Sequence, residues 1–138
     1  MLNPVIVALR RASAVRGSDP LLTWYGAGAR VELSVRTFAN WVDKTANLIE
    51  DLDAAGGTIA GAVSRDHPGN WMSLVWPLAA WQRGCTYALA DEPADLLVTG
   101  PDATGGDRET VTVACSLHPL ALGLRDLPDG VLDYTSET

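Results

Sequence analysis

Residues 58–89, TIAGAVSRDHPGNWMSLVWPLAAWQRGCTYAL, carry the pattern that decides the fold. The run 58–63 is short and apolar, which is typical of a buried parallel strand. A polar loop follows it, and Asn70 can cap a helix that continues to about Arg83. Residues 85–89 again resemble a strand. Strand, helix and strand in this order predict a βαβ unit and a sheet that is mostly parallel.

The helix of this unit is apolar nearly all round, since Trp71, Leu74, Trp76, Leu78 and Trp81 cover different sides of it. We therefore expect it to be buried on more than one side. Pro77 lies inside the helix and cannot donate a backbone hydrogen bond, so a kink or an interruption is expected there.

Three elements precede this unit. Asn3 and Pro4 predict the start of a short helix that ends near Ala12. Residues 21–25 and 29–33 predict a β-hairpin whose turn is Gly26, Ala27 and Gly28. Ser34 can cap a longer amphipathic helix, which Gly56 and Gly57 end. Its apolar positions recur at helical spacing: Val35, Phe38, Trp41, Val42, Leu48, Ile49 and Leu52.

Two further strands follow, at 95–99 and 110–115. Only residues 90–94 separate the strand that ends near Leu89 from the next one, whereas a parallel crossover needs a dozen residues or more. Either these strands are not neighbours, or one of them lies outside the sheet. We predict one α/β domain over residues 1–138, with a small, mostly parallel, doubly wound sheet, flanking helices and an N-terminal β-hairpin. Residues 1–19 form a helix and a loop, and 117–138 a loop-like tail.

The composition limits the classes of function. The formal net charge is -7, which disfavours partners with phosphate backbones and anionic membranes. The longest apolar stretch, 71–81, is too short to span a bilayer, so we expect a cytoplasmic protein. Cys85 and Cys115 lie in apolar surroundings and are expected to be reduced core thiols, although a bridge between them stays open. The cysteines and histidines show no paired ligand spacing, so no metal site is expected.

Several segments resemble the start of the adenylate-forming superfamily, which includes acyl-CoA synthetases, luciferases and peptide-synthetase adenylation domains. They are LLTWY at 21–25, VELS at 31–34, FANW at 38–41, TANL at 45–48 and AWQRGCTY at 80–87. More narrowly, SLHPL at 116–120 and PDGVLDY at 128–134 are similar to a group of short actinobacterial proteins. The resemblance implies a truncated N-terminal domain of that superfamily.

The parts of those enzymes that hold ATP are missing from this sequence. It has neither their lysine-bearing phosphate loop nor their small C-terminal domain, and its single lysine, Lys44, lies on the polar side of an early helix. Residues 100–106 begin and end with glycine, but Asp107 stands where a phosphate-binding loop carries lysine. We therefore expect no catalytic residue, no cofactor and no adenylation by this chain alone.

The best candidate for a ligand site is the loop that joins the first parallel strand to its helix. In open α/β sheets such loops line the ligand crevice, and helix N-termini attract anions. Arg65 and His67, with Ser64 and Asn70, are the residues that would bind a carboxylate or phosphate there.

Aromatic side chains suggest a contact surface instead. Trp41 and Trp81 fall on apolar stripes and are expected in the core. Trp24, Trp71, Trp76 and Tyr87 are candidates for a surface that a larger enzyme would cover, because a truncated fold exposes faces that were buried.

Three functional hypotheses follow. The first is a non-catalytic remnant that acts by self-association or by contact with a partner protein. The second is a small-molecule module for an acyl or nucleotide-like ligand beside residues 64–70. The third is one part of a split acyl-activating enzyme.

Overall fold

The computed structural model describes residues 3–26, 28–90, 93–103, 110–118, 123–124 and 127–138. The notional phosphate loop beyond Ala103, and most of the connection after His118, lie outside this part of the chain. The elements in order are α1 (Pro4–Arg16), β1 (Pro20–Gly26), β2 (Ala29–Ser34), α2 (Val35–Asp51), β3 (Thr58–Gly61), α3 (Ala62–Asp66), α4 (Met72–Gln82), β4 (Thr86–Ala88), β5 (Leu96–Thr99), β6 (Val111–Ala114), β7 (Val131–Asp133) and α5 (Tyr134–Glu137).

The architecture is the predicted α/β class. Five strands form one parallel sheet in the order β4-β3-β5-β6-β7, and β1 pairs antiparallel with β2 in a separate hairpin. The predicted turn residue Ala27 lies outside the described residues. Helices α2 and α4 pack against each other, and α4 also contacts β3 and β4. Their apolar side chains and those of the sheet form one hydrophobic core.

The short join between β4 and β5 is explained by the strand order. Ile59 in β3 pairs with Tyr87 of β4 on one side and with Leu96 of β5 on the other. The strands on either side of the join are therefore not neighbours, which confirms the first of the two alternatives. Residues 89–95 can reach roughly 23 Å when extended. That length is enough to pass the width of β3 and return to the start of β5.

The two N-terminal helices begin where the sequence predicts. The Asn3 side chain accepts a hydrogen bond from the backbone of Val5, and the Ser34 hydroxyl accepts one from Thr37 at 3.1 Å. Helix α1 continues to Arg16, one turn beyond the predicted end. The apolar face of α2 is buried in the core as expected.

The region after β3 differs from the prediction. The strand ends at Gly61, and Ala62–Asp66 forms the short helix α3 where a longer strand and a loop were expected. Val63 is fully buried in this helix. Its apolar character is equally compatible with a strand, so the sequence did not reveal the boundary.

Helix α4 contains Pro77 without a break. Because Pro77 has no N–H, the carbonyl of Ser73 four residues earlier loses its helical partner. The hydroxyl of Ser64 donates to that carbonyl at 2.8 Å. A side chain from α3 therefore replaces the missing backbone bond, and the helix continues.

The prediction of a loop-like tail over 117–138 was wrong at its end. Residues Val131–Asp133 form β7 and pair with β6, and Tyr134 begins the helical turn α5. The Tyr134 ring is buried between Trp41 and Trp76, with ring centroids 6.0 and 5.7 Å away. A strand of three residues leaves too short a pattern to be recognised from sequence.

Both cysteines are free, buried thiols in the core. Within the part of the chain that the structure describes, no helix combines the length and apolarity needed to cross a bilayer.

Candidate functional site

Ser64 lies at the carboxyl end of β3, in α3, and links two elements. Its hydroxyl donates its one hydrogen to the Ser73 carbonyl, so the Tyr87 hydroxyl, 2.6 Å away, must be the donor in the second contact. Burial raises the pKa of Tyr87 to about 12, although the contact with Ser64 opposes this. The phenol therefore stays protonated at neutral pH and serves as a hydrogen-bond donor within the fold.

Arg65 and His67 point in different directions. The guanidinium of Arg65 pairs with Asp66 at 2.9 Å on the surface. That hydrogen bond is the main reason why the pKa of Asp66 is lowered. His67 instead packs on Gly100, just after β5, where an added Cβ would lie 2.5 Å from the imidazole Nε2. Glycine at 100 is what allows this close approach.

Asn70 lies one residue before Trp71, the N-cap residue of α4, and its side chain bonds the first amide of the helix. The Oδ1 atom accepts from the backbone of Met72 at 2.9 Å, and Nδ2 donates to the Leu117 carbonyl at 3.4 Å. The next amide, Ser73 N, is bonded to the Asn70 carbonyl, and Leu74 N to that of Trp71. The first amides of α4 are therefore occupied by the chain itself.

Three of the four predicted ligand residues thus face inward and make contacts that hold the loop in place, while Arg65 lies on the surface. Beyond them a shallow cleft of about 240 Å³, open solvent included, runs between the N-terminus of α4 and the ends of β6 and β7. It is lined by Trp71, Met72, Cys115, Ser116, Leu117, His118, Tyr134 and Thr135. Sequence reasoning missed this cleft, because Tyr134 was assigned to a loop.

The tryptophans are distributed differently from the prediction. Trp71 and Trp76 are 5% and 0% exposed, so burial in this chain's own core removes them from any contact surface. Trp24 is half-buried and packs from the hairpin against the core. Trp41 also packs there, but Trp81, expected in the core, is 39% exposed. The helix positions explain this, since Trp76 and Trp81 lie on opposite sides of α4.

The exposed side of α4 forms a continuous apolar stripe, which we call the α4 face. It consists of Leu74, Pro77, Leu78 and Trp81, at the i, i+3, i+4 and i+7 spacing that places residues on one side of a helix. Leu74 is 51% exposed, and α4 contains no charged residue. The expectation that this helix is buried on more than one side is confirmed, since α2 packs on one side of it and β3 and β4 on another. The α4 face is the side that stays exposed.

Strand β4 is an edge of the sheet in the described part of the chain. Thr86 N donates to the carbonyl of Gly57, the residue just before β3, so by strand alternation Tyr87 directs its own N–H and carbonyl away from β3. Leu89, just beyond the strand, is 53% exposed. The α4 face and this edge belong to neighbouring elements, because α4 contacts β4.

Among the described residues, no group of three or more His, Cys, Asp or Glu side chains is placed so that it could hold a metal ion.

Fold and surface together define an α/β domain with a parallel five-stranded sheet and one uncovered helix face. No family model matches the chain. The chain is 34% identical over 127 residues to a curated protein of Mycobacterium tuberculosis strain H37Rv that is named "TIGR03089 family protein". The match covers 85% of this chain and 51% of the relative. The chain thus spans about half the length of an actinobacterial relative.

Proposed function

We propose that the chain is a non-catalytic domain that acts through protein contact, by self-association across the α4 face. The observation that carries the proposal is the exposure of Leu74 and Trp81 on a helix without charge. A helix that is apolar on all sides is normally covered on all sides. On one side of α4, Leu74 and Trp81 are 51% and 39% exposed, while Leu78 between them packs partly against the core.

The net charge of the chain favours the α4 face as the place where a second copy can bind. Each copy has ten basic and seventeen acidic residues, so two copies repel each other across most of their surfaces. The α4 face brings no charge to the contact. Burying a half-exposed leucine or tryptophan contributes about 1 kcal/mol per side chain. Contact across the α4 face therefore avoids repulsion and removes apolar area from water.

We also propose that the domain is a truncated relative of the adenylate-forming N-terminal domain and works in the cytoplasm. The element order β1, β2, α2, β3, α3, α4, β4 supports this, because apart from the short helix α3 it is the order on which the resemblance rests. Lys44 supports the lack of adenylation chemistry: its ammonium lies 5.2 Å from the Trp41 ring on α2.

Sedimentation velocity over a concentration series tests self-association. We expect the wild type to shift towards dimer with rising concentration, and Leu74→Arg to weaken association at least tenfold, because two buried cations would face each other. The matched control is Val15→Arg on α1, where Val15 is 75% exposed, and it should associate like the wild type. A wild-type protein that stays monomeric throughout the series would contradict the proposal.

A second candidate is contact with a polypeptide equivalent to the rest of a longer relative, as in a split protein. The observation that favours it is the 51% coverage of the Mycobacterium tuberculosis protein. Co-purification with the unmatched part of that relative tests it. Binding that Leu74→Arg abolishes would support this candidate over self-association.

The small-molecule hypothesis has less support from the geometry. Ser64, His67 and Asn70 would have to give up contacts within the fold before they could bind a carboxylate or phosphate. Thermal-shift screening with nucleotides, CoA and fatty acids tests it, and stabilisation lost in Arg65→Gln would revive it.

A further inference from the structure

The edge strand β4 offers a hydrogen-bonding pattern that its own chain leaves unused. The backbone N–H and carbonyl groups of Thr86 and Ala88 point towards β3. Those of Tyr87 point away from β3, to the outside of the sheet. No described residue pairs with the N–H or carbonyl of Tyr87. One donor and one acceptor on the same residue are what a two-fold-related antiparallel strand exchanges.

Natural edges are usually protected by charged residues or proline. Residues 84–90, GCTYALA, contain neither. The preceding Arg83 points back towards α2, where it pairs with Glu50 at 3.0 Å. Asp91, Glu92 and Pro93 follow in the sequence, so within Thr86–Ala88 itself the shortness of the strand is the protection. The edge lies beside an exposed apolar helix face.

We infer that β4 pairs antiparallel with β4 of a second copy about a two-fold axis at Tyr87, so that the two sheets become one. The inference rests on the proposed self-association and specifies its geometry. Each Tyr87 N–H donates to the Tyr87 carbonyl of the other copy. Thr86 of each copy then lies opposite Ala88 of the other copy, which gives two equivalent pairs.

The register follows from the extent of the strand. Only Thr86–Ala88 is extended, and the chain bends at Leu89 and Ala90, so an axis at Tyr87 uses the whole strand and nothing beyond it. A two-fold axis perpendicular to the sheet also brings both α4 helices to the same side. The same arrangement therefore covers the edge and places both α4 helices on one side of the joined sheet.

Cysteine crosslinking tests the register. Opposite residues of a non-hydrogen-bonded antiparallel pair have Cα atoms about 4.5 Å apart, which suits a disulfide. Thr86→Cys mixed with Ala88→Cys should therefore form a covalent dimer under mild oxidation. Each variant alone should form at least tenfold less, since equivalent positions would be about 8 Å apart. Wild type, with its two buried thiols, is the control for background crosslinking.

The outcomes separate the inference from the function on which it rests. Crosslinking of Ala88→Cys alone would overturn the register, because it places the axis at residue 88. A dimer in sedimentation with no crosslink in the mixture would overturn the strand pairing and leave self-association intact. A monomeric wild type would remove both.

Discussion

Gly61 ends β3 at the point where the Tyr87 ring crosses it. An added Cβ would lie 2.1 Å from the ring Cζ, and the ring is held by the Ser64 contact. We expect Gly61→Ala to lower the free energy of unfolding by about 1–3 kcal/mol, the usual cost of overpacking. Gly69→Ala is the matched control, because nothing lies within 4 Å of its added Cβ. Urea unfolding measures both, and equal stabilities would contradict the close packing.

The hydroxyl groups of Thr45 and Tyr134 form a buried hydrogen bond, and removing one or the other should lower the free energy of unfolding by different amounts. Thr45 Oγ1 lies 2.7 Å from both the Trp41 carbonyl and the Tyr134 hydroxyl. Thr45 donates to the carbonyl, so Tyr134 is the donor to Thr45. Tyr134→Phe removes one bond and should cost about 1 kcal/mol, whereas Thr45→Val leaves a buried phenol without an acceptor and should cost about 1–3 kcal/mol. Chemical denaturation that ranks them in reverse would refute this assignment.

At the residue scale, what could be predicted depends on the distance to the partner along the chain. The capping roles of Asn3, Ser34 and Asn70 were predicted correctly, because each cap bonds a backbone amide two or three residues ahead. The role of Tyr134 was not, since its partner Thr45 lies 89 residues earlier in the sequence. The exposure of Trp81 was likewise missed, because composition does not show which side of a helix lacks a cover.

The bond between Ser64 and the Ser73 carbonyl makes α3 and α4 interdependent. It exists because Pro77 leaves that carbonyl without its helical donor. We expect Ser64→Ala to cost about 1–2 kcal/mol in the wild type. In a Pro77→Ala background the cost should fall, because residue 77 now donates to Ser73.

A double-mutant cycle on Ser64→Ala and Pro77→Ala measures this dependence by denaturant unfolding. The interaction free energy should be about 1 kcal/mol, since the two sites share one acceptor. Ser64→Thr is the control that keeps a hydroxyl and should retain the interaction. Additive effects within error would show that the carbonyl does not depend on Ser64.

At the element scale, long or strongly patterned segments were predicted and short ones were not. The seventeen residues of α2 give several turns of consistent apolar spacing, and its caps agree with that spacing. Helix α3 and strand β7 contain five and three residues, fewer than a period needs to be recognised. Their conformation is set by neighbours in the fold, such as β6 for β7.

Three buried acidic groups, Cys115, Tyr87 and Tyr134, give the whole molecule an alkaline limit, because burial raises the pKa of each. Burial raises the pKa of Cys115 from 9.0 to about 12 and that of Tyr87 from 10.0 to about 12. In the unfolded chain these groups lose their protons near pH 9 and 10, so the unfolded state binds fewer protons above those values. The stabilisation is complete below about pH 9 and is lost as the pH rises towards 12.

We expect the free energy of unfolding to fall by about 1.4 kcal/mol per pH unit for each group within its window. Urea unfolding between pH 8 and 11.5 measures the slope. Cys115→Ala should flatten it from pH 9 upward, and Tyr87→Phe only from pH 10 upward. If both variants show the same slope of unfolding free energy against pH as the wild type, other groups control the alkaline limit.

At the scale of the whole molecule, the fold class followed from the alternation of strands and helices, but the order of the strands did not. The sequence left open whether the strands on either side of residues 89–95 are neighbours, and only the pairing of β3 with both of them decides it. The ligand residues were predicted from position in the fold alone, and the contact residues from their aromatic character. In the structure, the side chains of Ser64, His67 and Asn70 make contacts within the fold.

The central place of β3 determines how fast the molecule can fold. Helix α2 forms from contacts within its own turns, which takes microseconds or less. Thr58 and Ile59 must wait for Thr86 and Leu96, and until those distant segments arrive the apolar side of α2 stays open to water. Chains that depend on such distant pairings fold in milliseconds to seconds. Apolar surface that is exposed while the chain folds favours aggregation, so expression at low temperature or with a chaperone should raise the yield of native protein.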